Sequence, residues 1–141
     1  MKTKKIISLL VLGMSIILTS CGGATSDDAM FNITGMADVS FSSQSLGSIE
    51  SMDVEYTEKD GSITTFTGFP MASVIDLAGI SDYSTVTMIA VDAYTAEVTA
   101  DELAACETCI VALDNEGAWR TVMPGFSGKL QVKDLVELKI Q

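Results

Sequence analysis

The sequence contains no histidine among its 141 residues, and it has only two prolines, one tryptophan and eight basic residues. Without histidine the chain lacks the usual general base near neutral pH and the commonest transition-metal ligand. The same absence excludes Ser-His-Asp and Cys-His catalytic pairs. Nineteen acidic residues outnumber the basic ones, and a surface of that sign repels nucleic acid and anionic headgroups. Nucleic-acid binding is therefore excluded.

The first twenty residues have the organisation of an export signal. Three lysines form a positive segment near the N-terminus: Lys2, Lys4 and Lys5. Residues 6–17 are then almost wholly apolar. This run has the length of a signal-peptide core and is too short for an ordinary membrane-spanning helix. Residues 1–20 are therefore predicted to be a signal peptide.

The end of this segment carries a lipidation signal. It reads Leu18-Thr19-Ser20-Cys21, which resembles the lipobox of bacterial lipoproteins: a branched apolar residue, two small residues and a cysteine. The resemblance implies that the Cys21 thiol accepts a diacylglycerol, with acyl chains such as palmitate, before the signal peptide is removed. Two acyl chains supply enough methylene groups for a stable membrane anchor. The expected location is the extracytoplasmic side of a membrane in the bacterial cell envelope.

Removal of residues 1–20 would leave 121 residues, with five basic residues against nineteen acidic ones and a net charge of −14. The attachment to the membrane is therefore expected through the lipid, since this charge does not favour headgroup binding. Residues 21–30 are mostly small or polar and have no apolar periodicity, which predicts a flexible tether. Residues 31–141 suffice for one domain with one core.

Alternation of apolar and polar residues predicts a domain dominated by strands. Strands are expected at residues 31–35, 52–56, 63–66, 85–91, 94–98, 109–113, 119–123 and 132–140. Residues 52–66 read as a hairpin around an Asp60-Gly61 turn. One short helix is expected after Pro70, and another begins with Thr99 as its cap and Glu102 three residues later. The predicted class is α+β: a mixed, strand-dominated single domain with two short helices.

Six segments follow one another through this domain. They are Phe66-Thr67-Gly68-Phe69-Pro70-Met71, Val74-Ile75-Asp76-Leu77-Ala78-Gly79-Ile80, Ala90-Val91-Asp92-Ala93-Tyr94, Ile110-Val111-Ala112-Leu113-Asp114-Asn115-Glu116-Gly117, Arg120-Thr121-Val122-Met123-Pro124-Gly125 and Val132-Lys133-Asp134-Leu135. In this order they resemble the oxidoreductase molybdopterin-binding domain, the catalytic domain of the sulfite oxidase family. The resemblance runs from about Phe31 to Ile140 and implies a sulfite-oxidase-like fold. It implies molybdopterin as the cofactor, with Arg120 and Lys133 holding its phosphate.

One element of the family's pattern is missing. In the enzymes a cysteine thiolate upstream of the segment that begins at Phe66 ligates molybdenum, whereas this chain has no cysteine between Asp38 and Phe69. The corresponding stretch, around Tyr56 to Glu58, offers only oxygen ligands, which are a poor substitute for thiolate on molybdenum. The sequence therefore assigns no catalytic residue and no metal ligand.

Trp119 and Arg120 precede a glycine-rich loop, Pro124-Gly125-Phe126-Ser127-Gly128. A loop of this kind beside a cation can accept an anion or a peptide through its backbone N–H groups. The alternative without a ligand is a buried tryptophan, a solvated arginine and a tight turn. The sequence does not decide between the two.

Cys106 and Cys109 form a C-x-x-C pair that is open to three interpretations. In an exported protein such a pair is a structural disulfide, a redox-active dithiol or half of a metal site. A zinc or iron–sulfur site needs about four Cys or His ligands, and this chain has three cysteines and no histidine. Ala104-Ala105 before the pair is unlike the surroundings of a thioredoxin-type dithiol, which favours a structural disulfide or two semi-buried thiols.

Three functions are compatible with these features. The first is a non-catalytic binding or accessory module at the cell surface, for an unidentified protein or small-molecule ligand. The second is a molybdopterin-binding oxidoreductase with atypical metal ligation, in which Arg120 and Lys133 bind the cofactor. The third is a dithiol redox protein that uses Cys106 and Cys109. The missing thiolate and the absence of histidine favour the first.

Overall fold

Two β-sheets and two short α-helices make up residues 28–141, the part of the chain that the computed structural model describes. The predicted signal peptide and residues 21–27 of the predicted tether lie outside the described residues. Within residues 28–141, no helix is long and apolar enough to cross a membrane. In chain order the elements are β1 (Phe31–Gly35), β2 (Val39–Phe41), β3 (Met52–Thr57), β4 (Ile63–Pro70), α1 (Met71–Leu77), β5 (Thr85–Ala90), β6 (Thr95–Thr99), α2 (Ala100–Ala104), β7 (Ile110–Leu113), β8 (Trp119–Val122), a 3-10 turn (Gly128–Leu130) and β9 (Leu135–Ile140).

The larger sheet has five strands in the order β2-β1-β9-β5-β6. Its two strands that are farthest apart in the chain lie side by side, because β1 pairs in parallel with β9 and places Ile33 opposite Leu138. All other neighbours in this sheet are antiparallel. Burial alternates along β5 from half-buried Thr85 to buried Ala90, so one face of the sheet covers the core.

The smaller sheet has four antiparallel strands in the order β3-β4-β7-β8. Its β3–β4 hairpin turns at Asp60 and Gly61, as the Asp-Gly pair predicts, and Gly61 has a φ of 84° that glycine adopts without strain. The Asp60 carboxylate accepts hydrogen bonds from the hydroxyl and the backbone N–H of Ser62. These bonds, the one from the hydroxyl first, lower the pKa of the Asp60 carboxyl.

Both helices begin where the local sequence predicts. α1 follows Pro70, and the N–H of Met71 donates to the carbonyl of Cys109, which ties the start of the helix to the start of β7. α2 has a complete capping box: the Thr99 hydroxyl accepts from the Glu102 N–H, and the Glu102 carboxylate accepts from the Thr99 N–H. The hydrogen bonds from Thr99, its backbone N–H first, lower the pKa of the Glu102 carboxyl.

Buried apolar side chains form two clusters, one on each face of the smaller sheet. The main core joins residues of both sheets and both helices and includes Val111 and Trp119. The second cluster consists of Val54, Phe66, Ile110, Ala112 and Val122, with Met52 and Tyr56 packed at its edge. Because neighbouring residues of a strand point to opposite faces, Val111 of the main core and Ala112 of the second cluster mark the two faces of β7.

The predicted class, α+β with dominant strands and two short helices, is confirmed by the structure. Three strands differ from the sequence analysis. β4 continues to Pro70 rather than ending at residue 66, because Gly68 to Pro70 pair with β7. β2 is a short additional strand that the apolar pattern does not predict. β9 begins at Leu135 rather than at Val132, because Thr121 engages the preceding segment: its N–H donates to the carbonyl of Val132 and its hydroxyl to that of Leu130.

Candidate anion-binding site

A cleft of about 480 Å³ opens on the face of the smaller sheet that carries the second apolar cluster. Its lining is formed by Tyr56, Glu58, Lys59, Asp60, Arg120, Gly128, Gln131 and Lys133. We call it the Arg120 cleft. Both residues that the family resemblance assigns to the cofactor phosphate, Arg120 and Lys133, therefore line one site. A neighbouring depression of about 330 Å³ shares these two residues and Glu58.

Arg120 reaches the cleft across two small residues. On β8 it lies opposite Ala112 of β7, which in turn lies opposite Gly68 of β4. A Cβ on Gly68 would come within 2.8 Å of the Ala112 Cβ, so nothing larger than glycine fits beside it. The arginine stem occupies the space above these positions, and its guanidinium carbon lies 4.3 Å from the centroid of the Phe66 ring. This is the geometry of a cation–π contact.

The side chain of Arg120 is almost fully buried, and one of its hydrogen-bond donors is unpaired. The residue is only 4% exposed, and its Nε is buried with no hydrogen-bond partner. An unpaired buried donor costs about 1–3 kcal/mol. The fold therefore maintains an unfavourable arrangement that an anion in the cleft would relieve.

Cationic side chains are concentrated at this cleft. Outside residues 1–20 the sequence has five basic residues, and three of them, Lys59, Arg120 and Lys133, line the cleft. Two carboxylates, those of Glu58 and Asp60, share the lining, which leaves a formal charge of +1. The neighbouring depression has four carboxylates against two cations. Of these two clefts beside Arg120, the Arg120 cleft therefore has the charge that suits an anion.

Side-chain hydrogen bonds hold the loop between β8 and β9 beside Arg120. The Thr121 hydroxyl donates to one backbone carbonyl of the loop at 2.6 Å and accepts from a backbone N–H at 2.8 Å. The Gln131 amide pairs with both backbone groups of Met123, at 2.8 Å to the N–H and 2.7 Å to the carbonyl. These contacts hold the backbone beside Lys133 against the strand that carries Arg120.

Cys106 and Cys109 are joined by a disulfide between α2 and β7. Cys109 is 2% exposed and belongs to the main core, whereas Arg120 lies with the second cluster on the other face of the sheet. No cysteine lines the Arg120 cleft. Across residues 28–141, no group of three or more Cys, Asp or Glu side chains is placed to hold a metal ion.

The lining of the cleft fits part of the molybdopterin cofactor. Arg120 and Lys133 are suitable partners for its phosphate. Tyr56 and Glu58, the stretch in which the family's cysteine is expected, line the same cleft but offer only oxygen. Thiolate is the ligand that the metal of such a cofactor favours, and oxygen donors are a poor replacement. The described residues therefore fit the anionic group and do not fit the metal.

The sequence analysis places Arg120 and Lys133 at a candidate site and Tyr56 to Glu58 at the position of the family's cysteine. It assigns no binding role to Lys59 or Phe66. Both reach Arg120 because β4 and β8 flank β7 in the smaller sheet. Because basic residues are scarce in this sequence, each of them, Lys59 included, is a candidate anion ligand. Arg120 itself is not the solvated arginine of the interpretation without a ligand, since it is 4% exposed.

No protein-family model matches this chain, and no curated protein matches it. The solved structure of the sulfane dehydrogenase SoxCD from Paracoccus pantotrophus is similar over 79% of this chain, with a TM-score of 0.65 and 14% sequence identity. The likeness is one of fold. This chain covers 38% of the length of that dehydrogenase chain. The similarity supports the architecture implied by the family resemblance and leaves ligand and activity to be proposed.

Proposed function

We propose that this chain is a lipid-anchored, extracytoplasmic binding domain that holds a small anion in the Arg120 cleft and has no catalytic role of its own. The observation that carries the proposal is the buried Nε of Arg120, which has no hydrogen-bond partner. Buried charges in proteins are generally paired, because unpaired burial is costly. A ligand that pairs with Arg120 would explain why the fold keeps this destabilising arrangement.

The chemistry of the cleft suits a small oxyanion that carries a short organic part. Arg120 and Lys133 supply charged donors, and the ring of Tyr56 supplies apolar surface beside them. The volume of about 480 Å³ lies in the range of small-molecule sites. Carboxylate, phosphate and sulfate groups share the required chemistry. The two carboxylates in the lining disfavour polyanions, because each additional negative charge meets repulsion.

The anchored location rests on the N-terminal sequence. The lysines, the apolar run and the lipobox that ends at Cys21 all belong to the export and lipidation signal. The Cys106–Cys109 disulfide agrees with this location, since disulfides persist outside the reducing cytoplasm. A chain from which Cys21 has been removed should lose its attachment to the membrane.

The second candidate function is that of a molybdopterin-binding oxidoreductase with atypical metal ligation. Two observations favour it: the fold is similar to that of a sulfane dehydrogenase, and Arg120 and Lys133 of this chain line the same cleft. The absence of a thiolate from the lining of the cleft counts against it. A dithiol function has no comparable support, because Cys109 is 2% exposed and is held in a disulfide with Cys106.

Isothermal titration with sulfate, phosphate and acetate tests the proposed binding. Arg120→Met and Lys133→Gln should each weaken binding by about tenfold or more, because a hydrogen bond to a charged group contributes about 1.5–3 kcal/mol. Lys139→Gln is the matched control. It also removes one positive charge, from an exposed position on β9 that does not line the cleft.

The outcomes separate the candidate functions. A control variant that loses as much affinity as Lys133→Gln would show that binding follows net charge alone. The absence of binding for all three anions would remove the proposal. The chain should also be purified from a host that makes molybdenum cofactor and analysed for molybdenum and pterin. Stoichiometric amounts of both would establish the oxidoreductase instead of the binding domain.

A further inference from the structure

A second concave surface lies at the end of the larger sheet, where the described chain begins. This groove of about 250 Å³ is walled mainly by Ala29, Met30, Val91, Trp119, Leu135 and Val136. We call it the Met30 groove. Its lining is apolar apart from Asp134, and it shares no residue with the Arg120 cleft. It is therefore a separate surface with different chemistry.

The topology of the larger sheet creates this groove. β1 and β9 run parallel, so their first residues lie at the same end, and β5 is antiparallel to β9, so its last residues lie there too. Ala29 packs on the main core just before β1, and its carbonyl accepts a 2.6 Å hydrogen bond from the Trp119 indole N–H. This bond fixes the entry of the chain at the groove, although the sequence analysis assigns Ala29 to the tether.

Two large apolar side chains of the groove are strongly exposed. Met30 is 55% exposed and Val91 is 71% exposed. Single exposed apolar residues are common on protein surfaces and carry little meaning. These two line one groove, however, beside the point from which the chain continues towards Cys21. Their position relative to the anchor is what gives their exposure significance.

The distance from this groove to the lipid is limited by the chain itself. Seven residue steps separate Cys21 from Asp28. An extended chain spans at most about 3.6 Å per residue, so the two residues can be no more than about 25 Å apart. With acyl chains on Cys21, the end of the larger sheet that carries Met30 stays close to the bilayer. Among the described residues, the Met30 groove is the exposed apolar surface that lies closest to Cys21 along the chain.

We propose that the Met30 groove docks on the bilayer that holds the Cys21 lipid, with Met30 and Val91 at the boundary between headgroups and acyl chains. This inference rests on the proposed anchoring at Cys21. A short tether gives a high effective concentration of bilayer at the groove, so a small apolar surface suffices. Asp134 at the edge of the groove and the acidic net charge favour uncharged headgroups.

Trp119 provides a direct test, because it is the chain's one tryptophan and lies in the wall of the groove. Residues 21–141 are coupled to a maleimide lipid through Cys21, which is the cysteine outside the disulfide. The lipid is carried in phosphatidylcholine vesicles, with or without acyl chains brominated close to the headgroup. Bromine quenches tryptophan at short range. We expect a loss of Trp119 emission in the brominated vesicles.

Met36 supplies a matched control for Met30. Both methionines are 55% exposed, but Met30 precedes β1 and Met36 follows it at the opposite end of the strand. The double variant Met30→Glu, Val91→Glu should abolish the bromine-dependent loss of emission, whereas Met36→Glu should leave it unchanged. Equal emission in the two kinds of vesicle, or equal effects of Met30→Glu and Met36→Glu, would overturn the proposal.

Failure of docking and failure of anchoring can be distinguished. The maleimide supplies an anchor whether or not a cell lipidates Cys21. Mass spectrometry of the chain recovered from bacterial membranes reports the lipidation itself. An unmodified Cys21 would overturn the proposed anchoring and with it the docking in the cell. A modified Cys21 together with unquenched Trp119 on the synthetic anchor would overturn the docking alone.

Discussion

The substitution Arg120→Met tests whether this arginine is retained for a ligand or for the fold. Methionine keeps an unbranched apolar stem above Ala112 and removes the charge. Loss of the cation–π contact with Phe66 should destabilise the fold by about 0.5–2 kcal/mol. Removal of the unpaired Nε should stabilise it by about 1–3 kcal/mol. The free energy of unfolding should therefore change by between about −1 and +2.5 kcal/mol.

Urea unfolding followed by the fluorescence of Trp119 measures this change. The indole lies 5.0 Å from the Phe31 ring and 6.4 Å from the Phe69 ring, centroid to centroid, so its emission should report loss of the core. The two proteins should have the same dependence on urea concentration, which shows that their unfolded states are comparable. A loss of about 3 kcal/mol or more would refute the reasoning, because that is the cost of breaking a buried ion pair.

A double-mutant cycle with Phe66→Leu isolates the contact between the guanidinium and the ring. The coupling energy between the two substitutions should be about 0.5–2 kcal/mol, the range of cation–π contacts. A coupling near zero would mean that Phe66 does not stabilise the buried charge. The destabilisation expected from losing the cation–π contact would then be absent from the free-energy change predicted for Arg120→Met.

Three further predictions concern stability, and urea unfolding between about pH 3 and pH 7 checks them. Ala93→Gly should stabilise the fold by about 0.5–1 kcal/mol, because Ala93 has a φ of 67°; a less stable variant would contradict this cause. Serine at both Cys106 and Cys109 should cost about 2 kcal/mol, since the disulfide closes a very short loop; a cost near 5 kcal/mol would require another explanation. Glu102→Gln should make the stability of the fold less sensitive to acid. The pKa of the Glu102 carboxyl is lower in the folded protein, so its ionised form stabilises the fold above the ordinary carboxyl pKa. This stabilisation is lost as the pH falls through the pKa of the folded state. An unchanged acid dependence would contradict that role.

Local signals in the sequence account for much of the fold. The Asp60-Gly61 pair predicts the hairpin, and Thr99 with Glu102 predicts the capping box, because each structure is specified by residues within one turn. β2 has three residues and is too short for its alternation to be recognised. The pairing of β1 with β9 joins residues about a hundred positions apart. No local pattern encodes such a contact, and the family resemblance was the only indication of it.

The sequence indicates which residue types form the candidate site, but it does not indicate which of them are buried. The segments that contain Arg120 and Lys133 resemble the family's, which indicated two of the cations. The burial of Arg120 depends on small residues on two other strands, Ala112 and Gly68, and on the ring of Phe66. That arrangement exists only when β4, β7 and β8 lie side by side. It is a property of the assembled sheet.

The parallel pairing of β1 with β9 also determines when this domain can fold. β9 lies between β1 and β5 in the larger sheet, so the β1–β2 pair and the β5–β6 pair cannot join until β9 is present. A chain that crosses a membrane N-terminus first, as the proposed export requires, therefore cannot complete this sheet until β9 has emerged. Pairing over so long a separation is slow. The larger sheet is thus completed only by the last strand of the chain to be transported.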